Sequence, residues 1–163
     1  MNRKMKLLAG VALAGLMFGA VSAQAEDPVR IGVATALTGA YGDLGEQVRR
    51  AVDLAVEEVN AKGGIDGRKV EVQYLDTQAK ADIARQQAEK LVNDGYNILT
   101  GSIASGEALG IAPMLERWDA VMVGTISKAD ALTGAECSPR YFRVNIPDYA
   151  DAATVGTWLK EQP

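Results

Sequence analysis

Two serines, Ser102 and Ser105, lie in a short segment bounded by glycines (GSIASG, residues 101–106) that separates an apolar run from a helical pattern. The first amides of a helix lack internal partners and carry the positive end of its dipole, so a carboxylate binds there readily. Each serine adds a hydroxyl donor. The alternative is that Ser105 only caps its own helix, as serine often does. The segment therefore indicates carboxylate binding, with capping as the alternative.

A second loop carries glycines at positions 39, 42 and 45, with Tyr41 among them. This spacing resembles a phosphate loop, and Asp76 would then hold a ribose. The dinucleotide fingerprint needs a glycine where this loop has Tyr41, because the backbone must touch the pyrophosphate there. We therefore favour a glycine-rich turn that opens a helix, unless Tyr41 faces a ligand.

A third loop, Thr125 to Asp130, offers main-chain amides, the Thr125 and Ser127 hydroxyls and the Lys128 ammonium. Lys128 is placed to pair with a ligand carboxylate. The alternative is a solvated surface lysine, because lysine is mostly exposed in folded proteins.

Missing residue types exclude several kinds of chemistry. The 163-residue chain has no histidine, which excludes a Ser-His-Asp triad, a Cys-His pair and a helical His-Glu-x-x-His zinc site. Ile103 and Glu107 stand where a G-x-S-x-G nucleophile motif needs glycines. The single Cys137 permits no intrachain disulfide and no cysteine-rich metal site. We therefore expect no enzyme, no catalytic residue, no metal and no cofactor, and the scattered basic residues predict no nucleic-acid partner.

An alternation of strand and helix patterns would position the three loops. Apolar runs predict strands over residues 29–35, 69–75, 97–100, 120–125 and 141–144. Helical periodicity predicts helices through residues 48–59, 83–92, 106–118 and 151–161, with residues 37–45 as a loop and Asp76-Thr77 as a helix cap. This order is typical of an α/β fold, a parallel sheet with helices on both faces. Ligands then bind outside the carboxyl ends of the strands.

Residues 1–25 have the three parts of a secretory leader. Arg3, Lys4 and Lys6 precede an apolar run of 15 residues, and Ala23-Gln24-Ala25 follows as a small-x-small cleavage site. The run is shorter than the ~20 residues that a membrane span needs. We therefore expect a signal peptide that is cleaved after Ala25 and a periplasmic protein.

Four stretches resemble the solute-binding proteins of branched-chain amino acid ABC transporters, the leucine/isoleucine/valine-binding family with the type I periplasmic-binding fold. The stretches are IGVATALTGAYGDLG, VEEVNAKGGIDGRKVEVQYLD, QAEKLVNDGYNILTGSIASGEALGIAPMLE and TGAECSPRYFRVN. The resemblance implies two α/β lobes that are joined by three crossings and close on a ligand. Residues 26–144 would be the first lobe, and 145–163 a crossing and the first helix of a second lobe that is otherwise absent, so the chain looks like a fragment.

The resemblance also implies roles for five residues. Tyr41 matches the family's aromatic residue after the first strand, and Ser105 matches the serine that binds the ligand carboxylate. Ile126 matches a residue whose carbonyl contacts the ligand ammonium. Lys128 stands where leucine-type binders carry threonine, which weighs against leucine as the ligand. Ser127 would supply the hydroxyl if the register slips by one residue.

These observations predict the extracytoplasmic solute-binding component of an ABC importer, which captures an amino acid or related small carboxylate in an interlobe cleft and works with membrane permease subunits. A ligand-sensing receptor of the same fold that regulates a partner is the first alternative. A nucleotide-binding enzyme is the second.

Overall fold

The computed structural model describes residues 26–162, which form a five-stranded parallel sheet with helices on both faces. This confirms the expected α/β fold. The leader and its cleavage site after Ala25 lie outside the described residues. The strands are β1 (Val29–Thr35), β2 (Val70–Asp76), β3 (Ile98–Gly101), β4 (Val121–Gly124) and β5 (Tyr141–Arg143). The helices are α1 (Gly42–Ala61), α2 (Ala81–Asn93), α3 (Ser105–Ile111) and α4 (Asp148–Lys160).

The strand order β2-β1-β3-β4-β5 sets the position of the site. The chain passes from β1 to β2 on one side and then returns to β3 on the other side of β1. Strand order therefore reverses between β1 and β3, and the crevice at the carboxyl ends of these two strands is where such sheets bind ligands. The loops that follow β1 and β3 flank this crevice.

The core lies between the sheet and the pair α2 and α3. Leu91 of α2, Leu99 of β3, Ile111 of α3 and Met122 of β4 are all fully buried there. Gly32 of β1 leaves room for this packing, since a Cβ at that position would lie 3.0 Å from both the Leu91 and the Leu99 side chains. The most completely buried packing in the described residues therefore lies on the face of the sheet that carries α2 and α3.

The opposite face of the sheet is only partly covered. Helix α1 packs beside β2, where the Tyr74 hydroxyl donates to Asp53 of α1 at 2.6 Å. Val48 is the buried apolar side chain of α1. Four further apolar residues of the helix border a groove of about 300 Å³ over β1, β3 and β4: Val52, Ala55, Val56 and Val59. Phe142 and Val144, at and just after β5, are 55% and 72% exposed. Within residues 26–162, no helix covers this apolar half of the sheet.

Two helix boundaries in the second half of the chain differ from the sequence-based expectation. The predicted helix over residues 106–118 is wrong in extent, because α3 ends at Ile111 and a 3₁₀ turn, Ala112–Met114, follows. Pro113 accounts for this ending, since proline has no N–H and its ring conflicts with the preceding helical turn. The last helix starts at Asp148, three residues before the predicted position.

The glycine-rich segment is a shorter loop than predicted. A 3₁₀ turn spans Gly39–Tyr41 and α1 already starts at Gly42. A Cβ at Gly45 would clash with the main-chain carbonyl of Ala36, so glycine lets the first turn of α1 lie directly on the end of β1. The third glycine therefore serves helix-to-strand packing.

No helix within residues 26–162 combines the length and the apolar character that crossing a bilayer requires. Cys137 lies on the surface as a free thiol.

Candidate functional site

The three predicted loops lie side by side at the carboxyl edge of the sheet. The Ser102 amide donates to the Ala34 carbonyl of β1 at 2.9 Å, which joins the end of β3 to the end of β1. The Thr125 hydroxyl donates to the Gly101 carbonyl at 2.8 Å, which joins the loop after β4 to the end of β3. Parallel strands end at one edge, so the fold itself brings these distant segments together.

Ser105 is the first residue of α3 and faces the loop after β4. Its hydroxyl oxygen accepts hydrogen bonds from the amides of Lys128 and Ala129, each at 3.2 Å. The position before the helix is Ala104, and no side chain caps α3 there. The capping alternative for Ser105 is therefore wrong. The hydroxyl proton has no acceptor among the described residues and remains available to a ligand.

The main-chain donors at the start of α3 divide into two pairs. The amides of Ile103 and Ala104 donate to the Glu107 carboxylate, at 2.8 and 2.7 Å. The amides of Ser105 and Gly106 donate to no acceptor in residues 26–162. Of the four main-chain donors expected to bind a ligand, two are therefore already hydrogen-bonded to the Glu107 side chain, and the amides of Ser105 and Gly106 are not.

The Ser127 side chain lies inside the protein. It is 1% exposed, its hydroxyl oxygen lies 3.1 Å from that of Ser102, and it donates to the Ser102 carbonyl at 3.2 Å. Ser102 is itself buried, with a left-handed backbone (φ 55°). These two hydroxyls therefore tie the β3 and β4 loops together from within and do not line the crevice.

Lys128 and Ile126 both contact the chain that follows β5. The Lys128 ammonium forms an ion pair with Asp151 of α4. The Ile126 carbonyl accepts a hydrogen bond from the Asn145 side-chain amide at 2.9 Å. A carbonyl oxygen has two lone pairs, so Ile126 retains one acceptor position. Tyr41 lies in its 3₁₀ turn, 43% exposed.

Asp76, at the end of β2, holds the loop after β1. Its carboxylate accepts hydrogen bonds from the Leu37 amide at 2.9 Å, the Thr38 hydroxyl at 2.5 Å and the Gln78 amide at 2.9 Å. The expected cap on α2 is wrong, because that helix starts at Ala81 and has no side-chain cap. Asp76 instead fixes the start of the segment that carries Tyr41.

The pKa of Asp76 predicts a pH-dependent loop. Partial burial acts to raise this pKa, but the hydrogen bonds from Thr38, Gln78 and Leu37 together outweigh burial and lower it. The folded value thus lies below the unfolded value of about 3.9. The stabilisation is complete above the unfolded value and is lost as pH falls through the folded value. We expect the exchange protection of the Leu37 and Thr38 amides to fall between pH 5 and pH 2.

This loss should disappear in Asp76→Ala, which has no side-chain acceptor and whose protection at these amides should be low and independent of pH across the same range. The control is Glu57→Gln, an exposed carboxyl on α1, which should behave as the wild type. Equal protection of Leu37 and Thr38 at both pH limits in the wild type would contradict the role of Asp76.

Sequence reasoning did not identify two residues that shape the loops. Glu107 reaches back to the Ala104 amide, which is half of a capping box. The sequence signature of that box needs a polar residue three positions before the glutamate, and this chain has Ala104 there. Arg143 of β5 donates to the Lys128 and Ala129 carbonyls at 3.0 and 2.8 Å, which holds the β4 loop. No local pattern marks this long-range contact.

The groups that the crevice presents are hydroxyls, main-chain amides and carbonyls, which are suited to binding by hydrogen bonds. Within residues 26–162, no group of three or more Cys, Asp or Glu side chains is arranged to hold a metal ion.

Comparison with known proteins gives a consistent result. A family model described as "Periplasmic binding protein" matches residues 28–163. A Leu/Ile/Val-binding protein homolog of Brucella melitensis is 32% identical over 129 residues, which are 79% of this chain and 34% of the relative. The chain therefore spans about a third of the length of the curated relatives it matches.

Solved structures agree with the sequence relatives. A periplasmic binding protein from Burkholderia mallei superposes with a TM-score of 0.77 and 30% identity, over 83% of this chain and 36% of that one. An ABC transporter substrate-binding protein from Desulfitobacterium hafniense in complex with Leu superposes with a TM-score of 0.73 and 25% identity, over 84% of this chain and 39% of that one.

Proposed function

Because the chain belongs to the periplasmic binding protein family, we propose that it is the solute-binding component of an ABC importer for an amino acid or a related small carboxylate. Members of this family are extracytoplasmic. The protein binds its solute at the carboxyl edge of the sheet and delivers it to membrane permease subunits, and no covalent bond is made or broken. The periplasm is its compartment, with the leader cleaved after Ala25.

The arrangement around Ser105 carries this proposal. Its hydroxyl proton and the amides of Ser105 and Gly106 lack acceptors in residues 26–162, and they lie beside the crevice between β1 and β3. Donors of this kind bind a carboxylate. The Ile126 carbonyl, with one acceptor position left, suits an ammonium group. Tyr41, on the β1 side of the crevice, is exposed enough to cover an apolar side chain.

Charge pairing narrows the solute class. Lys128 is neutralised by Asp151, so it offers no unpaired cation to a second carboxylate. The remaining groups are neutral donors and acceptors. A zwitterion with one carboxylate and one ammonium therefore suits this lobe better than a dicarboxylate.

The domain assignment is also part of the proposal. Residues 26–144 form the first lobe of the binding protein, and 145–163 form a crossing and the start of the second lobe. The end of β5 at Arg143 and the start of α4 at Asp148 support this boundary.

Calorimetry with the complete protein tests the function. The ligands are the twenty L-amino acids, acetate, succinate and ATP, and the bound amino acids are repeated as their methyl esters. We expect a subset of monocarboxylate amino acids to bind at one site, with much weaker affinity for the esters and no binding of ATP. Absence of binding by every amino acid and both carboxylates would overturn the proposal.

A further inference from the structure

Glu107 is a fully buried carboxylate that the proposed binding does not use directly. One oxygen accepts the Ile103 and Ala104 amides, and the other accepts the hydroxyl of Thr77. A buried charge is costly unless it is fully hydrogen-bonded, and here each oxygen has a partner. The carboxylate therefore holds the backbone immediately before Ser105 in one conformation.

Thr77 connects this carboxylate to the other side of the crevice. It is fully buried and directly follows Asp76, whose carboxylate holds the Leu37 and Thr38 amides. Asp76 and Thr77, adjacent at the end of β2, thus form hydrogen bonds with two different loops. Asp76 holds the loop that leads to Tyr41, and Thr77 holds Glu107 and, through it, the loop that leads to Ser105.

We propose that Asp76, Thr77 and Glu107 form a positioning network that fixes the Tyr41 loop relative to the Ser105 loop and thereby sets solute affinity. Thr77 and Glu107 are fully buried, and both oxygens of the Asp76 carboxylate already accept hydrogen bonds from the protein, so we assign all three as positioning residues and not as solute contacts. This inference rests on the proposed function for its link to affinity. Its structural part, the ordering of the two loops, stands independently.

The physical basis is preorganisation. The loop before Ser105 contains Gly101 and Ser102, both with positive φ (104° and 55°), so it is held in a backbone conformation that Ser102 rarely adopts alone. Without Glu107 the Ile103 and Ala104 amides lose their acceptor and the loop samples other conformations. A solute must then order the loop as it binds, and that cost reduces affinity.

The first measurement is amide hydrogen exchange in the complete, solute-free protein. In Glu107→Ala we expect exchange at Ile103 and Ala104 to be at least about tenfold faster, because two hydrogen bonds to a charged acceptor are lost. In Glu107→Gln the amide oxygen still accepts both bonds, so exchange should stay within about threefold of wild type. Thr77→Val should accelerate the same amides, and Glu89→Ala, an exposed position on α2, is the control.

The second measurement is affinity for L-leucine, L-isoleucine and L-valine by calorimetry. For those that the wild type binds, we expect Glu107→Ala to weaken affinity about tenfold or more and Glu107→Gln to restore it, since each tenfold change is about 1.4 kcal/mol. If Glu107→Ala does not fold, Glu107→Asp takes its place, because the shorter side chain keeps the charge but withdraws it from the loop.

The two measurements test separate parts of the proposal. Unchanged exchange at Ile103 and Ala104 in the Ala or Asp variant overturns the positioning network. Faster exchange with unchanged affinity overturns its effect on the solute. If the wild type binds none of the three amino acids and no other member of the calorimetric panel, the proposed function fails, while the exchange result still decides whether the loops are held by Glu107.

Discussion

Replacing Gly45 by alanine should lower the free energy of unfolding by about 3 kcal/mol, at the upper end of overpacking costs. The added Cβ would clash with the Ala36 carbonyl oxygen at the end of β1. Both partners of this contact are main chain, so no side-chain rotation relieves it and α1 must move away from the sheet. Urea unfolding of the wild type and the variant, followed by circular dichroism, measures the difference.

The matched control is Gly156→Ala, because Gly156 lies within α4 and a Cβ there would meet no atom of residues 26–162 within 4 Å. Alanine should stabilise that helix by about 0.5–1 kcal/mol, since glycine carries an entropic penalty in a helix. A Gly45→Ala variant as stable as the wild type would show that the close approach of α1 to β1 is not required.

Replacing Ser105 by alanine should weaken the affinity for the bound amino acid about 10- to 100-fold. This corresponds to about 1.4–2.8 kcal/mol, the range expected for a lost hydrogen bond to a charged group. The variant removes the hydroxyl proton proposed to meet the solute carboxylate. It also removes the acceptor of the Lys128 and Ala129 amides. Calorimetry with the amino acid that the wild type binds gives the affinity, and thermal unfolding gives the structural cost.

Two comparisons separate these effects. Thr157→Ala removes a hydroxyl from the exposed face of α4, where it donates to the Ala153 carbonyl, and should leave affinity unchanged. The methyl ester of the amino acid should bind the wild type and Ser105→Ala with similar weak affinity, because its carboxylate is already neutralised. A Ser105→Ala variant with wild-type affinity would remove Ser105 from the proposed site.

The sheet was predictable because its determinants are local. Apolar runs and helical periods place all five strands within one or two residues, and the order of elements favours a parallel sheet. Boundaries were less predictable where a single contact decides them. The early start of α1 depends on the packing of Gly45 against the main chain of Ala36, which lies nine positions earlier, just after β1.

The site was predictable only at the level of loops. The orientations of the Ser127 and Lys128 side chains depend on partners that are distant in sequence. The Ser127 hydroxyl lies against that of Ser102, and the Lys128 ammonium pairs with Asp151. The role of Glu107 could not be predicted for a similar reason. Its carboxylate accepts a hydrogen bond from the buried hydroxyl of Thr77, which lies thirty positions earlier in the chain. Residue spacing encodes periodic structure, whereas these contacts are set by the way that the finished sheet brings loops together.

The open apolar half of the sheet affects how stability varies with temperature. The exposed portions of Phe142, Val144 and Ile98 are in water both before and after unfolding. They therefore add nothing to the heat capacity of unfolding, which scales with newly hydrated apolar area. Taken alone, residues 26–162 are therefore expected to have an increment per residue below the usual value of about 12–15 cal/mol/K. Chain that covers this face would raise the increment and make the stability curve more strongly curved.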